Sequence, residues 1–201
     1  MVAAAAVDSE KAKMRDRLKA RRAALDEPTA RTGARQVCEH LTESELFEGV
    51  DRVAGYMARG RELNVHAFLD QLLESGVEVL LPRVVGAGQM EFCAVDDWDQ
   101  LRPGSFGIDE PTTPPVDHND TPVFLVPGLG FDEEGTRLGF GMGYYDRALP
   151  PVGQALAVGV GYRWQLLDKP LPRQPHDRPM DVLVTPEGWH RVDGPGNSLL
   201  E

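Results

Sequence analysis

The chain has 201 residues, of which 41% are hydrophobic and 26% charged, and its formal net charge at pH 7 is −11. This length and composition predict one globular domain with a sizeable core. The acidic balance argues against nucleic acid as a partner, because phosphate neutralisation needs a basic surface. No run of about 18 apolar residues occurs, so we expect no membrane span.

The chain ends and the cysteines give further expectations. Residues 1–7 are too short for a signal-peptide core and lack a basic lead-in, so we expect them, like residues 195–201, to be disordered tails of a domain spanning 8–194. Cys38 and Cys93 have no metal-ligand spacing, which favours reduced thiols. We therefore expect a cytoplasmic location. We also expect the protein to be a monomer.

Residues 9–25 predict an amphipathic helix with Ser9 as its N-cap. Its apolar stripe consists of Met14, Leu18 and Leu25. Most of its other positions are basic: Lys11, Lys13, Arg15, Arg17, Lys19, Arg21 and Arg22. One interpretation is a solvated face, and the other is that Lys11 and Arg15, one turn apart, bind the same anion.

Helix and strand patterns alternate along the rest of the chain. We predict helices over 28–42, with Val37 and Leu41 inward, and over 64–73, with Asn64 as the cap. The predicted strands are residues 52–57, 77–81 (closed by Pro82), 90–95, 123–126, 155–161 and 182–185. Residues 98–122 are rich in Pro, Gly, Asp and Thr and are predicted to be irregular. This alternation favours a layered α/β sheet, in which ligands bind beyond the carboxyl ends of strands.

A glycine-rich segment, 127–149, follows one of these strands and runs into a helix-like stretch. Three of its glycines stand at every second position: Gly139, Gly141 and Gly143. Glycine allows backbone N–H groups to turn together toward an anion. Arg137 adds a cation that can contact phosphate, and Asp146 adds a carboxylate suited to magnesium. The segment therefore predicts nucleotide chemistry.

The glycine-rich segment matches no standard nucleotide-binding motif. The chain has no Gly-Lys-Ser or Gly-Lys-Thr, and G-x-G-x-G differs from the dinucleotide fingerprint G-x-G-x-x-G. A surface turn without a ligand is therefore the alternative interpretation, although such a turn requires neither Arg137 nor Asp146. The sequence also lacks a G-x-S-x-G nucleophile motif and the spacings typical of zinc sites.

Two further segments carry candidate polar groups. Asp177 and Asp181 precede the last predicted strand and form either a metal-binding pair or a polar turn. Glu62 follows the strand that carries Tyr56 and Met57. It is either a solvated loop acid or an acceptor for N–H groups of a ligand that lies against an apolar and aromatic wall.

Motifs distributed over nearly the whole chain resemble those of the 5-formyltetrahydrofolate cyclo-ligase family, also called methenyltetrahydrofolate synthetases. In chain order they are Lys11-x-x-x-Arg15, Tyr56 to Glu62, Phe106-Gly-Ile-x-Glu-Pro111, Pro127-Gly-Leu-Gly-Phe-Asp132 with Arg137-Leu-Gly-Phe-Gly-Met-Gly-Tyr-Tyr-Asp146, and Pro175-His-Asp177 followed by Asp181 and a strand ending at Thr185. The resemblance implies a single α/β domain with a central, mostly parallel sheet and helices on both faces.

The resemblance also implies an enzyme that depends on ATP and magnesium. In this family ATP phosphorylates the formyl oxygen of 5-formyltetrahydrofolate, a second nitrogen attacks, and phosphate leaves as 5,10-methenyltetrahydrofolate closes. Phosphoryl transfer needs positioning and charge neutralisation more than a protein nucleophile, which agrees with the candidate groups. A magnesium ion also explains how an acidic chain receives a polyanion.

The resemblance assigns a role to each candidate residue by position. ATP would be bound by Lys11, Arg15, Arg137, Leu138, Gly139, Phe140, Gly141, Met142, Gly143, Tyr144 and Tyr145. The folate would contact Met57, Glu62 and Tyr145. We expect Arg137 and Tyr145 to be catalytic, and Asp146 and Asp177 to hold Mg²⁺, with Asp181 as the alternative to Asp177.

The chain departs from the family at Met142, where members commonly carry Gly or Lys. A lysine there could contact phosphate, whereas methionine cannot, so the affinity for ATP is the property most affected. Two alternatives to the enzyme follow. One is a non-catalytic paralogue that binds nucleotide or folate, and the other is a structural or interaction protein with an empty loop.

Overall fold

A seven-stranded sheet organises the chain. The computed structural model describes residues 2–192, with side chains from residue 7 onward. Within that range the helices are α1 (Val2–Ala23), α2 (Glu27–Thr42), α3 (His66–Glu74) and α4 (Tyr144–Ala148). The strands are β1 (Arg52–Ala54), β2 (Glu78–Gly86), β3 (Gln89–Val95), β4 (Leu101–Pro103), β5 (Asp109–Pro111), β6 (Val123–Pro127), β7 (Gly130–Asp132), β8 (Arg137–Leu138), β9 (Leu156–Val160), β10 (Leu166–Leu167), β11 (Val182–Thr185) and β12 (Gly188–Arg191).

The order of strands in the main sheet is β12-β11-β9-β6-β1-β2-β3. Strands β11, β9, β6, β1 and β2 pair in parallel, and the edge strands β12 and β3 pair antiparallel. Smaller sheets are formed by β10-β7-β8 and β4-β5. The predicted α/β class with a mostly parallel sheet is therefore confirmed, and the carboxyl ends of the parallel strands lie at one edge.

Each face of the main sheet has its own core, because neighbouring strand residues point to opposite faces. One face packs against α2 and α3 through a cluster that includes Val37, Leu41, Val53, Leu69 and Val79. The other face packs against α4 and the β7–β8 hairpin through a cluster that includes Ala54, Leu80, Phe124, Phe131 and Met180. Helices thus lie on both faces, but the second face is covered mainly by strands and loops. Helix α1 packs on the hairpin side, where Leu18 joins Leu129 and Leu138.

The helices differ from the predictions mostly at their ends. Helix α1 starts at Val2, so Ser9 lies inside it and is not its N-cap. The alanine-rich start favours this extension, which takes in residues 2–7 that we expected to be a tail. Met1 and residues 195–201 lie outside the described residues, and the domain bounds 8–194 stay a prediction. Leu25 follows the end of α1 and packs with the α2–α3 core instead of the α1 stripe.

Helix α2 fits its prediction closely. Asp26 caps it by accepting the N–H of Thr29 at 2.7 Å, and both Val37 and Leu41 are fully buried, as predicted. Helix α3 begins one residue after Val65, and Asn64 accepts the N–H of His66 at 2.8 Å. The predicted cap thus lies one position before the N-cap residue, Val65. No helix described within residues 2–192 is both long and apolar enough to cross a membrane.

Three strand predictions need correction. Strand β2 continues through Pro82, because β1 pairs with it only as far as Leu80 and proline is tolerated where a neighbouring strand has ended. Strand β1 correspondingly ends at Ala54 rather than at residue 57. The segment 98–122, predicted to be irregular, contains the β4–β5 hairpin, whose short polar strands give little periodic signal. Strands β7, β8, β10 and β12 were not predicted.

Gly135 in the turn of the β7–β8 hairpin supports a stability test. Its φ is +76°, and a Cβ there would overlap the backbone oxygen of Met180. The backbone N–H of Met180 also donates a hydrogen bond to the carbonyl oxygen of Gly135 at 2.8 Å. Gly153 also has a positive φ, +84°, but faces open space. We expect Gly135→Ala to lower the free energy of unfolding by about 2–4 kcal/mol and Gly153→Ala by about 1 kcal/mol, measured by urea denaturation. Equal losses would contradict the role of the Met180 contact.

Candidate active site

A cavity of about 640 Å³ lies beyond the carboxyl ends of β1 and β6, where open α/β sheets bind ligands. Its walls come from α1, from the segments after β1 and β6, from the β4–β5 hairpin and from residues 174–177. The residues for which the sequence predicted a site role line this cavity, except Asp181, which was the alternative to Asp177 as a metal ligand. The structure therefore brings the predicted residues together, while their individual roles stay predictions.

The alternating glycines of the loop 139–143 leave room for arginine side chains. A Cβ at each position would lie against one guanidinium: Gly139 against Arg137 (2.7 Å), Gly141 against Arg15 (3.2 Å) and Gly143 against Arg147 (3.0 Å). Gly141 and Gly143 also have positive φ angles of 104° and 64°. Arg15 Nε donates to the carbonyl oxygen of Gly139 at 2.9 Å. The backbone conformation therefore favours glycine at Gly141 and Gly143, and a Cβ at Gly139 would require the Arg137 guanidinium to move.

Arg147 attaches the same loop to the tip of the β2–β3 hairpin. Its Nε donates to the carbonyl oxygen of Gly88 at 2.6 Å, and its Nη2 donates to the carbonyl oxygen of Met142. The side chain of Met142 is itself 46% exposed. The loop is thus fixed through its backbone at the position where the chain departs from the family.

Both predicted magnesium ligands are paired with cations. Asp177 Oδ2 accepts Lys11 Nζ at 2.6 Å, and the two side chains are 11% and 7% exposed. Asp146 Oδ1 accepts Arg137 Nη2 at 3.1 Å and the backbone N–H of Arg178 at 3.4 Å. Across the described residues, no group of three His, Cys, Asp or Glu side chains could hold a metal ion. The carboxylates therefore neutralise the cations of the cavity, and a metal ion would need further ligands.

Arg137 has a donor that the protein leaves unused. The residue is 8% exposed, and its buried Nε has no hydrogen-bond partner among residues 7–192. An unpaired buried donor costs about 1–3 kcal/mol, which a ligand oxygen would recover. The guanidinium lies over the ring of Tyr145, with Cζ 5.2 Å from the ring centroid. Burial raises the pKa of Tyr145 well above its ordinary value despite this cation, so its hydroxyl is protonated at neutral pH.

Glu62 is a buried member of an ion pair, so its interpretation as a solvated loop acid is wrong. It is 9% exposed; its Oε1 accepts Arg22 Nη1 at 3.0 Å, and its Oε2 accepts the backbone N–H of Arg59 at 2.8 Å. Burial raises the pKa of Glu62, and Arg22 opposes the shift. Tyr56 supports the same turn, because its hydroxyl donates to the carbonyl oxygen of Leu63 at 2.6 Å.

Asp177 and Asp181 have different surroundings. Asp181 is fully buried, pairs with Arg178 at 2.9 Å and accepts the N–H of Ala157 at 2.7 Å. It does not line the cavity, whereas Asp177 does. Asp181 therefore has a structural role, and Asp177 is the carboxylate available to a ligand.

Sequence reasoning missed three contributors to the cavity region: Arg22, Arg59 and Phe106. Arg22 is 7% exposed, and Lys11, Leu18 and Arg22 recur on one face of α1 at helical spacing. That spacing could have indicated that Lys11 and Arg22 share the buried face of α1 with Leu18. The interpretation of the basic residues as a solvated face is wrong for Lys11 and Arg22, which are buried. Phe106 has φ +58° and, like Phe140, lies within 6 Å of the Arg59 guanidinium. A strained aromatic residue on a hairpin leaves no periodic trace.

Comparison with known proteins identifies the family. Residues 7–186 match the model of the 5-formyltetrahydrofolate cyclo-ligase family. The chain belongs to this family. The cyclo-ligase of Mycolicibacterium smegmatis is 38% identical over 144 residues, which cover 67% of this chain and 73% of that protein. The cyclo-ligase of Escherichia coli K12 is 33% identical over 143 residues, covering 67% and 77%.

A solved structure supports the same family assignment. The NMR structure of 5,10-methenyltetrahydrofolate synthetase from Aquifex aeolicus superposes with a TM-score of 0.80 at 35% identity, covering 91% of this chain and 93% of that one. The predicted family and fold class of this cyclo-ligase family member are therefore confirmed.

The Lys11–Asp177 pair supports a second stability test. Asp177→Asn leaves the Lys11 ammonium nearly buried without its carboxylate, so we expect the free energy of unfolding to fall by about 3 kcal/mol. Glu39→Gln is the matched control, because Glu39 pairs with Arg35 at the same 2.6 Å but with side chains that are 51% and 65% exposed. We expect a loss below about 0.5 kcal/mol there. Similar losses in urea denaturation would mean that burial does not strengthen the Lys11–Asp177 pair.

Proposed function

We propose that this protein is a 5-formyltetrahydrofolate cyclo-ligase that converts 5-formyltetrahydrofolate and ATP into 5,10-methenyltetrahydrofolate, ADP and phosphate. Family membership over residues 7–186 supports an enzyme of this class. The observation that carries the proposal is that one cavity is lined by all the residues predicted to bind ATP or folate, together with Asp146 and Asp177. A cationic wall and an apolar wall then share one space, as phosphoryl transfer between two bound substrates requires.

ATP would occupy the wall that α1 and the glycine loop form. Lys11 and Arg15 reach this wall from α1, and Arg137 reaches it from β8. The unpartnered Nε of Arg137 supports a phosphate here, because a phosphate oxygen accepts such a hydrogen bond and fits the planar guanidinium. Phe140 and Met142, 38% and 46% exposed, offer apolar surface beside these cations.

The donor set also fits magnesium. Mg²⁺ is usually bound through one or two carboxylates together with substrate phosphates and water, and Asp146 and Asp177 supply two carboxylates in the cavity. Oδ2 of Asp146 receives no hydrogen bond from residues 7–192. Asp146 and Asp177 would hold the ion, which when bound neutralises negative charge on the phosphates. Lys11 and Arg137, which now neutralise these carboxylates, would then be available to phosphate.

The folate would lie against Met57, Glu62 and Tyr145. Hydrogen bonds from Arg22 and Arg59 hold the Glu62 carboxylate at the cavity wall, where its remaining lone pairs can accept N–H groups of a ring. Tyr145 would border both substrates, because its ring contacts Arg137 and its hydroxyl carries a proton to donate.

The reaction requires placement more than covalent help from the protein. The formyl oxygen attacks the terminal phosphorus of ATP and the bond to ADP breaks. The second folate nitrogen then attacks the formyl carbon and gives up its proton to the departing phosphate as the carbon–oxygen bond to phosphate breaks. Arg137 would balance charge on the transferring oxygens, and Tyr145 would donate a hydrogen bond beside them. These two residues therefore keep their catalytic assignment in the proposal.

The family match does not favour the alternative of a non-catalytic paralogue, which depended on Met142. The carbonyl of that residue is held by Arg147, so the loop keeps its attachment without a lysine. We further propose a cytoplasmic monomer whose partners are ATP and reduced folate, with no nucleic acid or membrane partner. The net charge of −11 supports the absence of a nucleic acid partner.

The proposal predicts a direct optical assay. The purified protein with Mg²⁺, ATP and 5-formyltetrahydrofolate should generate the methenyl absorbance, with one ADP released per product formed. Reactions without ATP, or with excess EDTA, should remain at the background rate. A folded protein that binds either substrate by calorimetry but produces no absorbance would instead support the paralogue, and failure to bind either would support a structural protein.

A further inference from the structure

Arg22 joins three walls of the cavity, although no motif assigns it a role. It lies in the last turn of α1 and is 7% exposed. Its Nη1 donates to Glu62 Oε1 at 3.0 Å and to the carbonyl oxygen of Gly128 at 3.4 Å. Its Cζ lies 5.2 Å from the centroid of the Phe140 ring in the glycine loop. One side chain therefore contacts the turn after β1, the segment after β6 and the loop 139–143.

The Arg22–Glu62 pair is a poor source of stability. The two side chains are 9% and 7% exposed, so both charges have lost most of their water. The desolvation cost of such a pair commonly equals or exceeds the attraction, and apolar residues of similar volume would serve the fold as well. A charged pair at the wall of the cavity is therefore better explained by a use for the charge.

The pair determines what Glu62 can offer to a ligand. Arg22 holds one carboxylate oxygen and the backbone N–H of Arg59 holds the other, at 2.8 Å, so the plane of the carboxylate is fixed. Burial raises the pKa of Glu62, and Arg22 is the largest influence in the opposite direction. An ionised carboxylate only accepts hydrogen bonds, whereas a protonated one also donates. Removing Arg22 would therefore change both the orientation and the hydrogen-bonding character of Glu62.

We propose that Arg22 is a positioning residue for the folate substrate, acting through Glu62: it holds the carboxylate as a fixed acceptor for N–H groups of the substrate ring. This inference rests on the proposed function, since it takes Glu62 as a folate contact. Arg22 does not itself touch the reacting atoms. Its contact with Phe140 is a packing contact, so ATP binding depends on it much less than folate binding does.

The first test compares KM values for the two substrates. Arg22→Met removes the charge but keeps an unbranched apolar side chain beside Phe140. We expect KM for 5-formyltetrahydrofolate to rise by at least about tenfold, with KM for ATP changed by less than about twofold, because a charge-assisted hydrogen bond on the folate side is lost. Arg21→Met is the matched control, since Arg21 is the adjacent residue and its guanidinium lies over Trp164 at 4.7 Å. We expect both its KM values to match the wild type.

A double-mutant cycle tests whether Arg22 acts through Glu62. In a Glu62→Gln background, Arg22→Met should raise the folate KM by less than about twofold further, because the carboxylate that it positions is gone. Arg22→Lys keeps the positive charge and should therefore retain most of the folate affinity. This variant replaces Arg22→Met in the test if Arg22→Met does not fold. Equal increases in both KM values, or an undiminished effect in the Glu62→Gln background, would overturn the proposal.

Calorimetry separates failure of this inference from failure of the proposed function. Wild-type protein should bind 5-formyltetrahydrofolate without ATP. Arg22→Lys should raise the Kd slightly, and Arg22→Met should raise it more. If the wild type neither binds nor converts the folate, the proposed function fails. If the wild type binds and converts it while the Arg22 variants bind equally well, the proposed function stands and the role of Arg22 is overturned.

Discussion

The guanidinium groups of Arg15, Arg137 and Arg147 pack against the alternating glycines of the loop 139–143, and those of Arg15 and Arg137 line the cavity. A Cβ at Gly139 would lie only 2.7 Å from Arg137 Nη1, and Cβ atoms at Gly141 and Gly143 would lie 3.2 and 3.0 Å from Arg15 and Arg147. The arginines come from separate elements, so the loop 139–143 is fixed relative to α1 and to the β2–β3 hairpin at the same time. The loop is therefore a packed part of the protein, so the proposed phosphate site is preorganised.

The proposed ATP site requires local cations, because a net charge of −11 gives no long-range attraction for a phosphate. Lys11 and Arg137 are paired with Asp177 and Asp146, which limits the cost of burying these cations. A third ion pair, between Arg22 and Glu62, lies at the wall of the same cavity. Paired charge along the cavity wall is thus the common feature of the predicted ATP and folate sides.

Much of the fold could be predicted from the sequence because its signals are local. The Asp26-capped helix α2, with Val37 and Leu41 inward, and the apolar strands β6, β9 and β11 follow from periodicity. The continuation of β2 through Pro82 could not be predicted, since it depends on where β1 stops pairing. The short polar strands were missed because turn-forming residues surround them. The start of α1 was missed although its alanines favour a helix, because residues 2–7 were interpreted as a tail.

For the site, residue type and spacing predicted which side chains would meet, but not how they would be paired. The sequence presented Asp177 and Asp181 as equivalent, and only tertiary contacts separate the cavity-lining carboxylate from the one buried with Arg178. Likewise, the sequence alone allows Glu62 to be a solvated loop acid. The structure shows that it is paired with Arg22, which is 40 residues away in the chain. Long-range ion pairs leave no periodic pattern in a sequence, so the electrostatic arrangement had to come from the structure.

The most direct test of this account is a crystal structure with Mg²⁺ and a non-hydrolysable ATP analogue. We expect a phosphate oxygen within hydrogen-bond distance of Arg137 Nε, with Lys11 and Arg15 at the same phosphates and the backbone of residues 139–143 unmoved. Phosphates bound elsewhere, with Arg137 Nε still lacking a partner, would contradict it.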